Sequence, residues 1–158
     1  MTQESIIEFH RAAMNPLAAG AGKFRAGNVR IKGNPAFKTP DWRELSGLLA
    51  VFFKSAGIPE KKKVSAAETV ESAAFLHNEF QRIHPFIDGN SRTSRAVFLK
   101  ALAQSNFPLI KIPVGFSDQY MKLTKLSEKR DDKKFALLMK QIALENLKYF
   151  AKKLEYES

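Results

Sequence analysis

Apolar residues recur along most of this chain at the three- and four-residue spacing of helices buried on one side. Ile6, Phe9, His10 and Ala13 share one face of a helix predicted over about 5–14, with Pro16 just beyond it. Leu45, Leu48, Leu49, Phe52 and Phe53 make a second stripe. Asp41 and, three residues on, Glu44 read as its capping box, and Gly57 and Pro59 as its end. A third helix opens with another box, Ser65 and Glu68, and buries Val70, Ala73, Ala74, His77, Phe80 and Ile83 before Pro85 stops it. A fourth is predicted over about 91–104 through Ala96, Val97, Leu99, Ala101 and Leu102. Residues 107–113 read as an extended link, and shorter helical patterns cover about 118–126 and 131–154. The stretch from Leu17 to Pro40 differs. Gly20, Gly22, Gly27 and Gly33 flank the alternating segment Asn28–Lys32, which suits a small strand or hairpin. The pattern predicts a mostly all-α fold, a single domain over 1–158, with one small β-hairpin near 24–33. No internal repeat or interdomain linker interrupts it.

Composition narrows the classes. A chain of 158 residues with 44% hydrophobic and 11% aromatic residues can bury a sizeable core, which excludes wholesale disorder. No apolar run approaches the roughly 18 residues of a membrane span. The opening Met1–Ser5 lacks the basic and apolar regions of a secretory leader. Zero cysteines exclude a disulfide framework, a thiolate nucleophile and a thiolate zinc site, and a cytoplasmic setting fits all of this. The formal charge is +10, from 26 Lys and Arg against 16 Asp and Glu. Such a balance suits nucleic acid, a polyanionic ligand or an acidic protein. The densest basic runs, Lys61-Lys62-Lys63 and Lys129-Arg130 with Lys133-Lys134, carry no interleaved aromatics, so solvated faces are the preferred reading over a nucleic-acid surface.

The chemistry is concentrated between the two central helices, in His84-Pro85-Phe86-Ile87-Asp88-Gly89-Asn90-Ser91-Arg92-Thr93-Ser94-Arg95. Gly89 and Asn90 tolerate unusual backbone angles, so their N–H groups can converge on an anion. The helix that follows points its free amides and positive dipole end at the same place. Arg92 and Arg95, three apart on one helical face, are two guanidinium forks for a di- or triphosphate. Asp88 can hold Mg²⁺ against phosphate oxygens. His84 is the one nearby group that titrates near neutrality, hence the candidate general base. Each residue alone has an ordinary structural use: a histidine capping a helix, an Asp-Gly-Asn turn, two solvent-facing arginines. Their joint occurrence in one loop carries the reading.

That segment resembles the signature of the Fic (filamentation-induced-by-cAMP) family of the Fic/Doc superfamily, His-Pro-Phe-x-Asp/Glu-Gly-Asn-Gly/Lys-Arg-x-x-Arg. Every specified position matches except Ser91, which adds a hydroxymethyl group where the family has Gly or Lys. Residues 21–33 resemble the family's flap hairpin, and Pro40, His77, Phe80–Ile83 and Tyr120 also fit. The resemblance implies a protein adenylyltransferase that moves AMP from ATP to a Ser, Thr or Tyr hydroxyl of a target protein. His84 would then take the hydroxyl proton, and Asp88 would hold the Mg²⁺. Gly89, Asn90 and Ser91 would supply the backbone anion hole. Arg92 and Arg95 would hold the β- and γ-phosphates, Phe86 would anchor the loop, and the flap would pair with an extended target segment.

Other motifs fail. Gly20-Ala21-Gly22-Lys23 is no P-loop, because Phe24 replaces the Ser or Thr, and Arg25 stands where a dinucleotide fingerprint needs its third glycine. His10, His77 and His84 lack zinc-hydrolase spacing. Many family members carry an inhibitory Ser/Thr-x-x-x-Glu-Gly/Asn helix. The one match in spacing here, Thr124 to Glu128, is followed by Lys129 and is read as chance. The expected restraint is therefore a separate antitoxin-like protein, as in a toxin–antitoxin pair, or homo-oligomerisation, or Ser91 itself. Two alternatives stand beside the enzyme: a catalytically weak Fic-fold module that binds protein or nucleic acid, and a Fic-type transferase of another phosphate-containing group.

Overall fold

The computed structural model describes residues 1–15, 17–31, 33–57, 64–124 and 130–157. Among them are six α-helices: α1 Gln3–Met14, α2 Leu45–Ser55, α3 Ala66–Ile83, α4 Asn90–Gln104, α5 Ser117–Thr124 and α6 Asp132–Glu157. The Lys61–Lys63 run, Pro59, Glu128 and Lys129 lie outside the described residues, while Arg130, Lys133 and Lys134 lie within them. No described helix is long and apolar enough to cross a membrane.

Side-chain caps close two of the four predicted helix starts, those of α1 and α3. Ser65 accepts from the Glu68 amide while the Glu68 carboxylate takes the Ser65 amide, closing the capping box of α3. Thr2 and Ser5 cap α1 in the same way. Asp41 departs from the prediction. It caps a 3₁₀ turn, Trp42–Glu44, by accepting from the Arg43 amide at 2.9 Å, and no side chain caps α2 itself. The tight turn takes up the residues that a capping box would have used.

Helix α3 is the spine. Its apolar positions divide between two cores because residues three and four apart face one neighbour and the intervening ones face another. Leu76, Phe80 and Ile83 pack with Leu45, Leu49 and Phe52 of α2, Ile6 of α1 and Val97 of α4. Val70, Ala73 and Ala74 pack with Phe98 and Leu102 of α4 and with Phe135, Met139 and Ile142 of α6. Fully burying a side chain such as Phe80 or Phe52 contributes about 2–3 kcal/mol.

The expected β-hairpin over 24–33 is corrected: no strand forms among the described residues, only a single antiparallel bridge between Arg30 and Lys38. The excursion is held by side chains instead of a ladder. Thr39 Oγ1 donates to the Val29 carbonyl (2.8 Å), and Asn28 Oδ1 accepts from the Trp42 amide (2.9 Å). Gly33 turns the chain with φ +85°. The returning arm begins with Pro35, which has no amide to give a ladder. The paired positions thus span 28–42, later than the alternation in the sequence placed them.

His77, 1% exposed, is the polar centre of the α3–α6 core. Its Nδ1 faces Asn78 Oδ1 at 3.1 Å and its Nε2 accepts from the Tyr120 hydroxyl at 2.8 Å, with the ring stacked on Phe135. Desolvation pushes its pKa from the ordinary 6.5 down to about 4, helped by the Arg95 charge and opposed by Asn78. The unfolded chain therefore binds a proton at His77 between those values while the folded chain does not. Stability is complete above pH 6.5 and falls below it, by ~3 kcal/mol at pH 4 from this group. In urea unfolding at pH 7, 5.5 and 4, the acid loss in a folded His77→Gln variant should be smaller by that order. Parallel losses in both proteins would contradict the assignment.

Candidate active site

Helix α3 ends because His84 turns into the left-handed region, φ 51° and ψ 56°, ahead of Pro85. For a residue with a Cβ this conformation costs about 1–2 kcal/mol, so the surroundings must impose it. Asn90 does so from the far side of the loop. Its Oδ1 accepts from the Phe86 amide (3.0 Å) and its Nδ2 donates to the Phe86 carbonyl (2.8 Å). Phe86 itself is fully buried against Phe24, Phe80 and the His10 ring, which stacks on it at 3.7 Å and 9°.

His10 is a second brace, and sequence reading placed it only as one member of a helix face. Its Nδ1 accepts from the Gly22 amide at 2.8 Å, so its Nε2 carries the hydrogen and donates to the Asp88 carbonyl at 2.9 Å. Gly89 then turns with φ +76°, and a Cβ there would meet Met14 Sδ at 2.6 Å. The loop is pinned by α1 from below and by Asn90 from within.

These constraints place the chemistry. His84, Asp88, Asn90 and Ser91 line one cleft of about 460 Å³, closed on one side by Arg30, Ile31 and Phe37 of the flap. His84 Nδ1 faces the Gln81 carbonyl at 3.3 Å, which assigns the hydrogen to Nδ1 and leaves Nε2 as the basic atom. Burial is the main cause holding the His84 pKa below its ordinary value. The Arg25 charge adds to it, and the Gln81 carbonyl and Asp88 oppose it. The ring is accordingly neutral at pH 7, as a base must be. Asp88 is an exposed carboxylate whose Oδ1 accepts from the Gly89 amide at 2.6 Å. Among the described residues no group of three or more His, Asp or Glu side chains could hold a metal by itself.

The open amides lie one residue later than the Gly89–Ser91 stretch expected from the sequence. The Gly89 amide is taken by Asp88, and the Asn90 side chain is spent on Phe86. Helix α4 starts behind Gly89 with no side-chain cap, so the amides of Asn90, Ser91 and Arg92 form its open positive end. The two arginines do not line this cleft. Arg92 Nη1 lies 2.9 Å from Met14 Sδ, and Arg95 lines a second cavity of about 500 Å³ with His77, Tyr120 and Met139. Both are exposed side chains.

The loop that joins α3 to α4 and holds a neutral histidine beside an uncapped helix start is the segment that carried the family resemblance. A sequence model of the Fic/DOC family matches residues 1–102. The chain belongs to the Fic/DOC family. Protein adenylyltransferase Fic of Drosophila erecta is 30% identical over 136 residues, 85% of this chain and 26% of that protein. The Drosophila persimilis protein of the same name is 29% identical over the same length. The chain thus spans about a quarter of the length of the curated relatives it matches. Among solved structures, Fic-1 from C. elegans superposes on the whole chain with a TM-score of 0.81 at 19% identity, over 45% of its own length. The BepC protein of Bartonella tribocorum, solved with bound AMPPNP, matches 89% of this chain and 73% of its own, with a TM-score of 0.68 at 18% identity. Those two establish the Fic-type helical fold.

The pinning of Gly89 has a measurable consequence. Gly89→Ala combines a left-handed Cβ with the Met14 clash and should lower the unfolding free energy by ~2–4 kcal/mol in urea. Adding Met14→Ala should relieve the clash with Cβ but not the strain at φ +76°, so the double variant should lose less than the two single losses summed. A Gly89→Ala loss under ~0.5 kcal/mol would show that the loop is not held as described.

Proposed function

We propose that this chain is the catalytic domain of a protein adenylyltransferase that transfers AMP from ATP to a Ser, Thr or Tyr hydroxyl of a target protein. The single observation that carries the proposal is the cleft in which His84 Nε2, the Asp88 carboxylate and the open start of α4 converge. The naming of the Drosophila relatives as protein adenylyltransferases and the AMPPNP bound to BepC support the same reading.

In this reading the triphosphate lies on the amides of Asn90, Ser91 and Arg92, where the helix dipole favours an anion. The target hydroxyl oxygen attacks the α-phosphorus, its proton passes to His84 Nε2, and the bond from the α-phosphorus to the bridging oxygen breaks, so pyrophosphate leaves. Positioning and charge neutralisation supply most of the rate in such a transfer. Arg92 and Arg95 serve the β- and γ-phosphates by a change of rotamer, since both are exposed and neither is held by a carboxylate within ion-pair distance among the described residues. Asp88 fits Mg²⁺ only as one ligand beside phosphate oxygens and water, because it stands alone as a carboxylate in the loop. When bound there, the ion would neutralise phosphate charge. The flap offers the exposed edge around Arg30 to an extended target segment. Restraint from a separate inhibitor protein remains part of the proposal, because Lys129 follows the Thr124–Glu128 match where the inhibitory helix has Gly or Asn.

Ser91 favours a second reading. It lines the cleft where the family has Gly or Lys, so the group transferred is open to change. ATP labelled at the α- or the γ-phosphate, with Mg²⁺ and a cell lysate, separates the two. Covalent α-label on protein, lost by ~100-fold or more in His84→Ala, is the expected result. γ-label alone on protein would establish phosphate transfer, and the absence of both labels would refute transfer from ATP. Because the reaction needs neutral His84, the α-labelling rate should rise with pH along a limb centred below the ordinary histidine value of 6.5 and be flat near pH 7–8. A limb centred above pH 7 would contradict His84 as the base.

A further inference from the structure

Arg25 is a charged side chain only 3% exposed, and no described carboxylate forms an ion pair with it. Its donors go instead to three main-chain carbonyls of three different segments. Nε donates to His84 (2.8 Å), Nη2 to Pro40 (2.8 Å) and Nη1 to Gly27 (3.0 Å). Its own amide donates to the Pro85 carbonyl at 2.9 Å. The residue therefore grips two successive carbonyls at the turn that ends α3, while its fork holds both roots of the flap.

Stability does not account for this arrangement. Burying a guanidinium against neutral carbonyls is costly, and burial is the main cause that lowers the Arg25 pKa; the Asp41 charge offsets part of it. An apolar side chain would seal the same space at lower cost. What an apolar residue cannot do is fix the orientation of three carbonyls at once with a planar fork. One of those carbonyls belongs to the left-handed residue that carries the candidate base, and the other two set where the flap leaves and rejoins the body.

We propose that Arg25 is a positioning residue that locks the orientation of His84 to the roots of the flap, so that a segment seated on the flap is registered against Nε2. The proposal rests on the reading of His84 as the base. Lysine is the informative substitution, because it keeps the charge and most of the stem but loses the fork.

The test uses the full chain and three readouts. Trp42 is the only tryptophan, two residues from Pro40, and its amide is held by Asn28, so its fluorescence reports the flap root. His84 is one of three histidines, so its ring cross-peak is assignable in a histidine-labelled spectrum by His84→Ala. The third readout is self-labelling with α-labelled ATP, as maximal rate and half-saturating ATP. In Arg25→Lys, with helicity retained, the Trp42 emission and the His84 cross-peak should shift together. The maximal rate should fall by ~10-fold or more while half-saturating ATP stays within ~2-fold. Asn28→Ala, at an exposed position that cuts only the flap root, should move the His84 cross-peak as well, and it serves if Arg25→Lys does not fold. A folded Arg25→Lys with an unchanged His84 cross-peak would overturn the proposal. So would Asn28→Ala that shifts Trp42 and leaves His84 unmoved. If the wild type does not label itself, the rate is read on lysate protein, where absence of α-label counts against the transferase reading, and the two spectroscopic readouts still decide the coupling.

Discussion

Everything in the site depends on how a helix is made to stop. Helix α3 carries apolar side chains into two cores and has to end where its last turn can present a polar group to solvent. His84 ends it in a left-handed conformation that it would not adopt alone. The cost is offset by contacts that reach across the sequence: Asn90 closes the loop on the Phe86 backbone, and His10 holds Asp88 from α1. Phe86, buried between them, makes the loop part of the core at one end and part of the cleft at the other. The chemistry is thus placed by packing.

Two kinds of polar group around the loop do different work. Those that are buried, Asn90 and His10, have their hydrogen bonds satisfied within the protein and fix the backbone. Those at the cleft, His84 Nε2, the Asp88 carboxylate and the first amides of α4, are left facing outward. An anion arriving there meets donors already oriented, so little reorganisation is needed on binding. Arg92 and Arg95, which the proposed transfer would draw in, lie outside the cleft on long exposed side chains.

Most of the helical fold was legible in the sequence because it follows from local rules. The Ser65–Glu68 box, the α3 face from Val70 to Ile83 and the stop at Pro85 all depend on residues within a few positions of each other. Asp41 and Glu44 carried the same signal, and the chain used it for a 3₁₀ turn, a choice between two short helices that differ little in energy. The flap alternation was visible but its pairing was not, since the bridge falls at Arg30 and Lys38 and is set by Asn28, Thr39 and Trp42. The roles of His10 and Arg25 were hidden for a simpler reason. His10 meets Asp88 and Arg25 meets His84 across 78 and 59 residues, separations at which periodicity carries no information. Asn90 was expected for its backbone amide alone, and the bracing of Phe86 by its side chain went unread, because a turn asparagine shows neither use in sequence.

The account's central claim is that an anion binds on the open start of α4, held ready by the pinned loop. Titrating the ¹⁵N-labelled chain with AMPPNP and Mg²⁺ tests it most directly, by following every backbone amide. The account predicts that the largest shifts fall on Asn90, Ser91 and Arg92, with the Gly89 and Phe86 amides, already bonded to Asp88 and Asn90, moving much less. Largest shifts around Ile110, Lys111 and Met121, on the second cavity, with the α4 start unmoved, would contradict it.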